Sequence, residues 1–167
     1  MKTLISLLLL SLFVGFAGCA QNQTCDKFFN TYEGKKGVMS FNFNGSFLNH
    51  VNWDDPGIND CKISSIKVIL VEDSTLNQKY NFYNEIVPKL NTKDYEELFT
   101  VKKVGQKTIA LCRKNNKKIT EFILVSGGKK NSLVYINGLL SLKDCRKISM
   151  EYDSEYDFDE MESKIQD

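Results

Sequence analysis

The sequence predicts an α+β domain, a mostly antiparallel sheet of about five or six strands with helices packed on one face. Three observations carry this. Four runs rich in β-branched and aromatic residues follow one another between Tyr95 and Gly138, with nothing long between them. Ile63 to Val71 is a further, strongly apolar strand pattern. Helical patterns precede the sheet elements, interrupt them twice and follow them, so the order is helix, strand, short helix, strand, helix, four strands, helix.

Met1 to Ala20 stands outside the fold. Lys2 precedes the uncharged apolar run Leu4 to Phe16, which is short for a membrane span and ends in Ala17, Gly18, Cys19 and Ala20. This is an export signal. Phe16-Ala17-Gly18-Cys19 resembles the lipobox of bacterial lipoproteins, in which the cysteine becomes the first residue and is acylated. Phe16 departs from the usual Leu or Val. The alternative is ordinary cleavage after Ala20, with Gly18 and Ala20 as the small residues of the small-x-small pattern. Acyl chains on Cys19, at about 0.8 kcal/mol per buried CH₂, would make a stable anchor.

Residues 21–150 are expected to form one domain. Thr24 is a candidate helix cap, and Phe28, Phe29 and Tyr32 share the core side of the helix it opens. Gly34 and Gly37 end that helix. Val38 to Phe43 alternates with period two, with Ser40 and Asn42 on one side. Phe47 to Val51 reads as a short helix, and Trp53-Asp54-Asp55-Pro56-Gly57 as a turn or loop. In the Ile63–Val71 strand, the continuous apolar stretch Val68 to Val71 predicts burial on both faces. A helix is expected from Ser74 or Thr75 to about Leu90, with Pro88 kinking or ending it.

The four-strand run comprises Leu98–Val101, Thr108–Cys112, Ile119–Val125 and Ser132–Ile136. Its turns, around Gly105, Asn115-Asn116 and Gly127-Gly128, are too short for parallel crossovers, so the run is an antiparallel meander. Alternation in the third strand puts Ile119, Ile123 and Val125 on one face and Phe122 and Leu124 on the other. With both faces apolar, this strand is expected to be central. Leu142 to Ile148 reads as a last short helix.

The net charge of +1 hides an asymmetry. Eight of the 21 acids and one of the 22 bases lie in 151–167, an acidic tail for which no fixed structure is expected. The body is correspondingly basic. Between Tyr95 and Lys147 its lysines and arginines gather at hairpin ends, where they blunt edges or form an electropositive rim.

A series of motifs carries a family resemblance: Phe28-Phe29-Asn30-Thr31-Tyr32-Glu33-Gly34-Lys35-Lys36-Gly37-Val38, Ile66-Lys67-Val68-Ile69 with Glu72-Asp73, Phe82-Tyr83-Asn84-Glu85, Asp94-Tyr95-Glu96-Glu97-Leu98, Val101-Lys102-Lys103, Gly127-Gly128 and Ile136-Asn137-Gly138. This series resembles the DUF4252 family of small exported proteins from Bacteroidetes-type bacteria, over nearly the whole mature chain up to about Ile148. The resemblance implies a place in the cell envelope and brings with it no catalytic or binding residue.

Cys25, Cys61, Cys112 and Cys145 remain after the export segment. An even number in an exported chain fits disulfides, with Cys25–Cys61 and Cys112–Cys145 the preferred pairing of three connectivities. The alternative is four buried thiols packed as small hydrophobes. His50 is the only histidine. A hydrolase would have to use it, with Asp54 nearby, whereas a solvated loop histidine is the plain reading. Asp54-Asp55 and Glu72-Asp73 read as loop caps or solvated ends, and Gly127-Gly128 as a hairpin turn without a phosphate-binding pattern. The expectation is therefore a non-enzymatic, envelope-anchored binding or sensory module facing the periplasm. It needs no metal or cofactor. Its partners are the membrane, through the lipid anchor, and an envelope protein or other anionic partner; no nucleic acid is expected. A small periplasmic hydrolase and a purely structural periplasmic protein are the alternatives.

Overall fold

The structure is a computed structural model that describes residues 23–48, 62–116, 118–143 and 145. The first helix, α1 (Gln23–Tyr32), buries Cys25, Phe28, Phe29 and Tyr32. Their i, i+3, i+4, i+7 spacing is one helical face, and it lies on the sheet. Then come β1 (Val38–Asn44), the single turn α2 (Gly45–Leu48) and β2 (Lys62–Val71). The expected long helix after β2 is two short ones, α3 (Ser74–Lys79) and α4 (Phe82–Ile86), followed by a 3₁₀ turn at Val87–Lys89. A second 3₁₀ turn, Thr92–Asp94, leads into β3 (Glu96–Lys103), β4 (Gln106–Asn115), β5 (Lys118–Gly128) and β6 (Ser132–Leu140).

The six strands form one antiparallel sheet in the order β1-β2-β6-β5-β4-β3. The α+β expectation holds, and the meander β3 to β6 is as the short turns require. β5 is interior, and it is buried from Ile119 to Gly127 except at Thr120. One face, under α1 and α4, carries Ile69, Val71, Ile109, Leu111, Ile123, Val125, Leu133 and Tyr135. The other carries Ala110, Cys112, Ile119, Phe122, Leu124, Val134, Ile136 and Leu140, with Cys145 against them. At about 1.5–3 kcal/mol for each large apolar side chain taken out of water, these two layers dominate the stability.

Three local expectations are corrected. Ile119 shares a face with Phe122 and Leu124, not with Ile123 and Val125. The registers of β5 against β4 and β6 both slip near it, between Arg113 and Lys114 and between Ile119 and Glu121. Such a bulge inserts a residue and inverts the alternation on its far side. In β2, Ile69 and Val71 are buried but Val68 and Leu70 are only half-buried, because β2's neighbour on one side is the edge strand β1.

The 74–90 helix breaks at Tyr80-Asn81. Asn81 caps α4 by accepting a hydrogen bond from the Asn84 N–H at 3.0 Å. The start of α4 lies so close to β5 that a Cβ on Gly127 would meet the Tyr83 backbone nitrogen and lie 2.5 Å from Asn81 Oδ1. Pro88 sits at the start of the 3₁₀ turn, where its missing N–H is not needed.

The break is held by two buried asparagines. Asn131 is fully buried. Its backbone N–H donates to Asn77 Oδ1 at 2.8 Å, and its side-chain amide donates to the Asn77 and Gly128 carbonyls at 3.1 and 3.0 Å. Its Oδ1 accepts from the Phe82 N–H at 2.8 Å. Asn77 in turn donates to the Val71 carbonyl at 2.9 Å. The β5–β6 turn, the end of β2 and the α3–α4 junction are thus tied at one point. Leu142, Lys143 and Cys145 are helical, and the rest of the expected last helix lies outside the described residues, as do the export segment and the acidic tail.

Candidate functional site

Two features stand out from the packed core: a polar row beneath α1, and the distribution of cations at the two ends of the sheet. The row runs across four strands. Ser65 of β2 is registered with Asn137 of β6, Asn137 with Glu121 of β5, and Glu121 with Arg113 of β4. Asn137 donates to Ser65 Oγ at 3.3 Å and accepts from the Tyr135 hydroxyl at 3.1 Å. Glu121 is buried and receives Arg113 Nη1 at 3.0 Å and the Tyr95 hydroxyl at 2.5 Å. Arg113 also donates to the Tyr95 oxygen at 3.0 Å and lies over its ring, 4.8 Å from the centroid.

Above the row, Lys67 donates to Asp26 Oδ1 of α1 at 2.6 Å and sits 5.5 Å from the centre of the Phe29 ring. Among the described residues, the two interior cations, Lys67 and Arg113, each meet an interior carboxylate. Desolvation offsets much of the attraction in such pairs, so their net contribution to stability is small.

The thiols show how closed this interior is. Burial pushes the Cys25 thiol well above the ordinary range, and the charges of Asp26 and Glu121 push it further; Lys67 opposes them. Burial likewise raises Cys112. A thiol is a nucleophile only as the thiolate, so both are chemically quiet at neutral pH. The Tyr32 hydroxyl is held protonated first by burial and then by its 2.8 Å hydrogen bond to Glu85.

Of the two expected disulfides, Cys112–Cys145 is not formed, and Cys25–Cys61 involves a residue outside those described. No disulfide joins the described cysteines; Cys25, Cys112 and Cys145 are buried thiols. Cys25 belongs to the core under α1, whereas Cys112 and Cys145 pack together on the opposite face. Cys61 lies outside the described residues, so the partner preferred for Cys25 is not in view. Cys19, His50, Asp54 and Asp55 also lie outside them. Asp73 is a cap, accepting from the Thr75 and Leu76 N–H groups at 2.8 and 2.9 Å. Among the described residues, no three His, Cys, Asp or Glu side chains gather as a metal site, and no helix is long and apolar enough to cross a membrane.

The lysines expected at the hairpin ends are divided between the two ends of the sheet. At one end the β3–β4 and β5–β6 turns touch. The Lys129 N–H donates to the Gly105 carbonyl at 3.0 Å, and the Gln106 side chain bridges to the Lys130 backbone at 2.9 and 3.0 Å. Lys102, Lys103, Lys107, Lys129 and Lys130 are all exposed there. At the other end, the start of β2, the start of β5 and the segment after β6 bring the exposed Lys62, Lys118 and Lys143 to the edge from which α1 departs. Thr24, near the start of α1, donates to the Lys89 carbonyl at 3.3 Å, which places the exposed Lys89 there too.

The polar row was missed in the sequence because its members come from Asp26, Ser65, Lys67, Tyr95, Arg113, Glu121 and Asn137. Glu121, between Thr120 and Phe122 in an apolar strand, was the one local signal. No curated protein and no solved structure matches the chain. A family model for a domain of unknown function, DUF4252, matches residues 32–148, from the last residue of α1 past the end of the sheet, and the chain therefore belongs to that family.

Proposed function

We propose that the protein is a cell-envelope lipoprotein, acylated at Cys19, whose folded domain is a non-enzymatic binding module seated on an anionic membrane surface. One observation carries this reading. Lys62, Lys89, Lys118 and Lys143 lie at the end of the sheet where α1 begins, and Cys19 is only four residues upstream of Gln23.

At no more than about 3.6 Å per residue, that stretch reaches roughly 14 Å. β4 has 10 residues, so the sheet is about 34 Å from end to end. Of the two lysine-rich ends, the one at the start of α1 is then the one within reach of the anchoring membrane. Cations near an anionic leaflet are worth about 1 kcal/mol each and act within a Debye length. The other end, with Lys102, Lys103, Lys107, Lys129 and Lys130, is presented to the periplasm and suits an acidic partner. The paired interior charges and shielded thiols are in keeping with a module that does no covalent chemistry.

The test has two arms. Cells fed a palmitate analogue should label the wild-type chain and not Cys19→Ala; an unlabelled wild-type chain sinks the anchor. Replacing Lys62, Lys118 and Lys143 with Gln should weaken binding of the protein to vesicles containing phosphatidylglycerol, most at low salt. Unchanged binding sinks the seating. Against the hydrolase alternative, His50→Ala should leave the cellular phenotype intact.

A further inference from the structure

The two edges of the sheet are built differently. β3 carries Glu96 and Glu97 at one end and Lys102 and Lys103 at the other, has a bulge between Glu97 and Phe99, and commits Glu96 to Lys114 at 2.7 Å. Charges and bulges are the usual protection of an edge against pairing with another chain. β1 has neither. Its seven residues, Val38 to Asn44, contain no charge and no proline, and its register with β2 is unbroken.

Its side chains on the face away from α1 are Met39, Phe41 and Phe43, registered with Leu70, Val68 and Ile66. Phe41 and Phe43 stack with centroids 6.1 Å apart, and Phe47 of α2 continues the stack at 5.6 Å. These rings remain 42%, 36% and 57% exposed. An uncharged edge, unpaired among the described residues and bearing a ladder of exposed aromatics, is a surface made to be covered.

We infer that this edge is covered by the β1 edge of a second copy of the chain, in a symmetric antiparallel pair centred on Phe41. The strand is complementary to itself in that register. Phe41 meets Phe41, Met39 meets Phe43, Ser40 meets Asn42 and Val38 meets Asn44, so apolar opposes apolar on one face and the polar pair opposes itself on the other. No like charges are brought together. The pairing is isologous and closes after two copies. It continues the sheet across the dimer and leaves the blunted β3 edges outside.

The size of the contact sets the class of interface it can form. With about 200 Å² for a phenylalanine, the exposed parts of Phe41, Phe43 and Phe47 come to roughly 270 Å² per copy. With the strand backbones added, the interface lies near the lower limit of specific ones, about 1,000–1,200 Å² in total. An interface of that size suits a reversible dimer, populated where the chain is concentrated.

Cross-linking of the full-length chain in membranes of the cells that express it reads the register directly. In a pair centred on residue 41, the two Phe41→Cys residues face each other at about 4.5–5.5 Å between Cα atoms, within disulfide reach. Met39→Cys and Phe43→Cys are each displaced from their own copies by about 13 Å along the strand but face one another. Under mild oxidation, Phe41→Cys should give a covalent dimer above the wild-type background. Met39→Cys and Phe43→Cys should give one only when co-expressed. For the purified protein, Phe41→Lys should raise the dimer dissociation constant at least tenfold by sedimentation, with an unchanged thermal midpoint at monomer concentrations. Absence of a Phe41→Cys dimer, cross-linking of Met39→Cys to itself, or equal cross-linking of Thr100→Cys on the β3 edge overturns the proposal. The vesicle and acylation tests are unaffected by any of these outcomes.

Discussion

Replacing Asn131 with Ala tests what holds the two layers in register. The side chain is fully buried, and every polar atom on it is used. Truncation orphans the Phe82 N–H, and a buried donor without a partner costs about 1–3 kcal/mol. It also removes the amide's bonds to Asn77 and Gly128, each worth about 0.5–1.5 kcal/mol net. Because these acceptors are shared, the expected total is about 3–4 kcal/mol. For a domain of this size, at roughly 3–5 °C per kcal/mol, the midpoint should fall by about 10–15 °C. Asn131→Asp separates hydrogen bonding from packing. It keeps the volume and the acceptor for Phe82, but it points an acceptor at the Asn77 and Gly128 oxygens and buries a charge at neutral pH. It should therefore be at least as damaging as Ala. Urea unfolding followed by circular dichroism gives both values. A loss under about 1 kcal/mol for Ala, or a milder loss for Asp than for Ala, would refute the reasoning.

In the polar row, Glu121→Gln and Arg113→Met should each cost about 2 kcal/mol, less than for a fully buried pair because Arg113 is 28% exposed, and the double variant should lose less than their sum; strict additivity in urea melts would show that the pair is uncoupled. Folding holds the Tyr32 proton more tightly than the unfolded chain does, so this contribution is complete below the unfolded tyrosine range near pH 10 and is lost as pH rises above it. Tyr32→Phe should flatten the alkaline fall in stability, and identical pH profiles would count against the Tyr32–Glu85 interaction. A chain ending at Met150 should bind anionic vesicles better than the full-length chain at low salt, with the difference shrinking as salt rises; equal binding of the two would leave the 151–167 tail as a solvated end.

Much of the fold was legible because it rests on local patterns. The 3.6-residue spacing of Cys25, Phe28, Phe29 and Tyr32 is a helix wherever a core accepts it, and the short Gly and Asn turns between residues 98 and 136 leave no geometry but antiparallel hairpins. The same local reading failed where one residue more or less changes the outcome. The bulges beside Ile119 invert its face, and a bulge is set by how three strands share hydrogen bonds, which no single strand records. The 74–90 segment satisfies a helical pattern throughout, yet Asn131, 54 residues from Asn77, and the contact with Gly127 decide that it bends at Tyr80-Asn81.

The sequence by itself determined the antiparallel meander, the amphipathic first helix, the contrast between basic body and acidic tail, and the family, since each is written in spacing, charge or motif order. Only the tertiary structure decided which residues share an end, a face or an edge. It joined Asp26 to Lys67 and Glu121 to Arg113 and Tyr95, divided the lysines between two ends, held Cys25 apart from Cys112 and Cys145, and left β1 outermost. These are consequences of strand order. An antiparallel sheet with β2 inserted beside β6 brings together residues more than 70 positions apart, such as Ser65 and Asn137, and their side chains carry no local mark of that pairing.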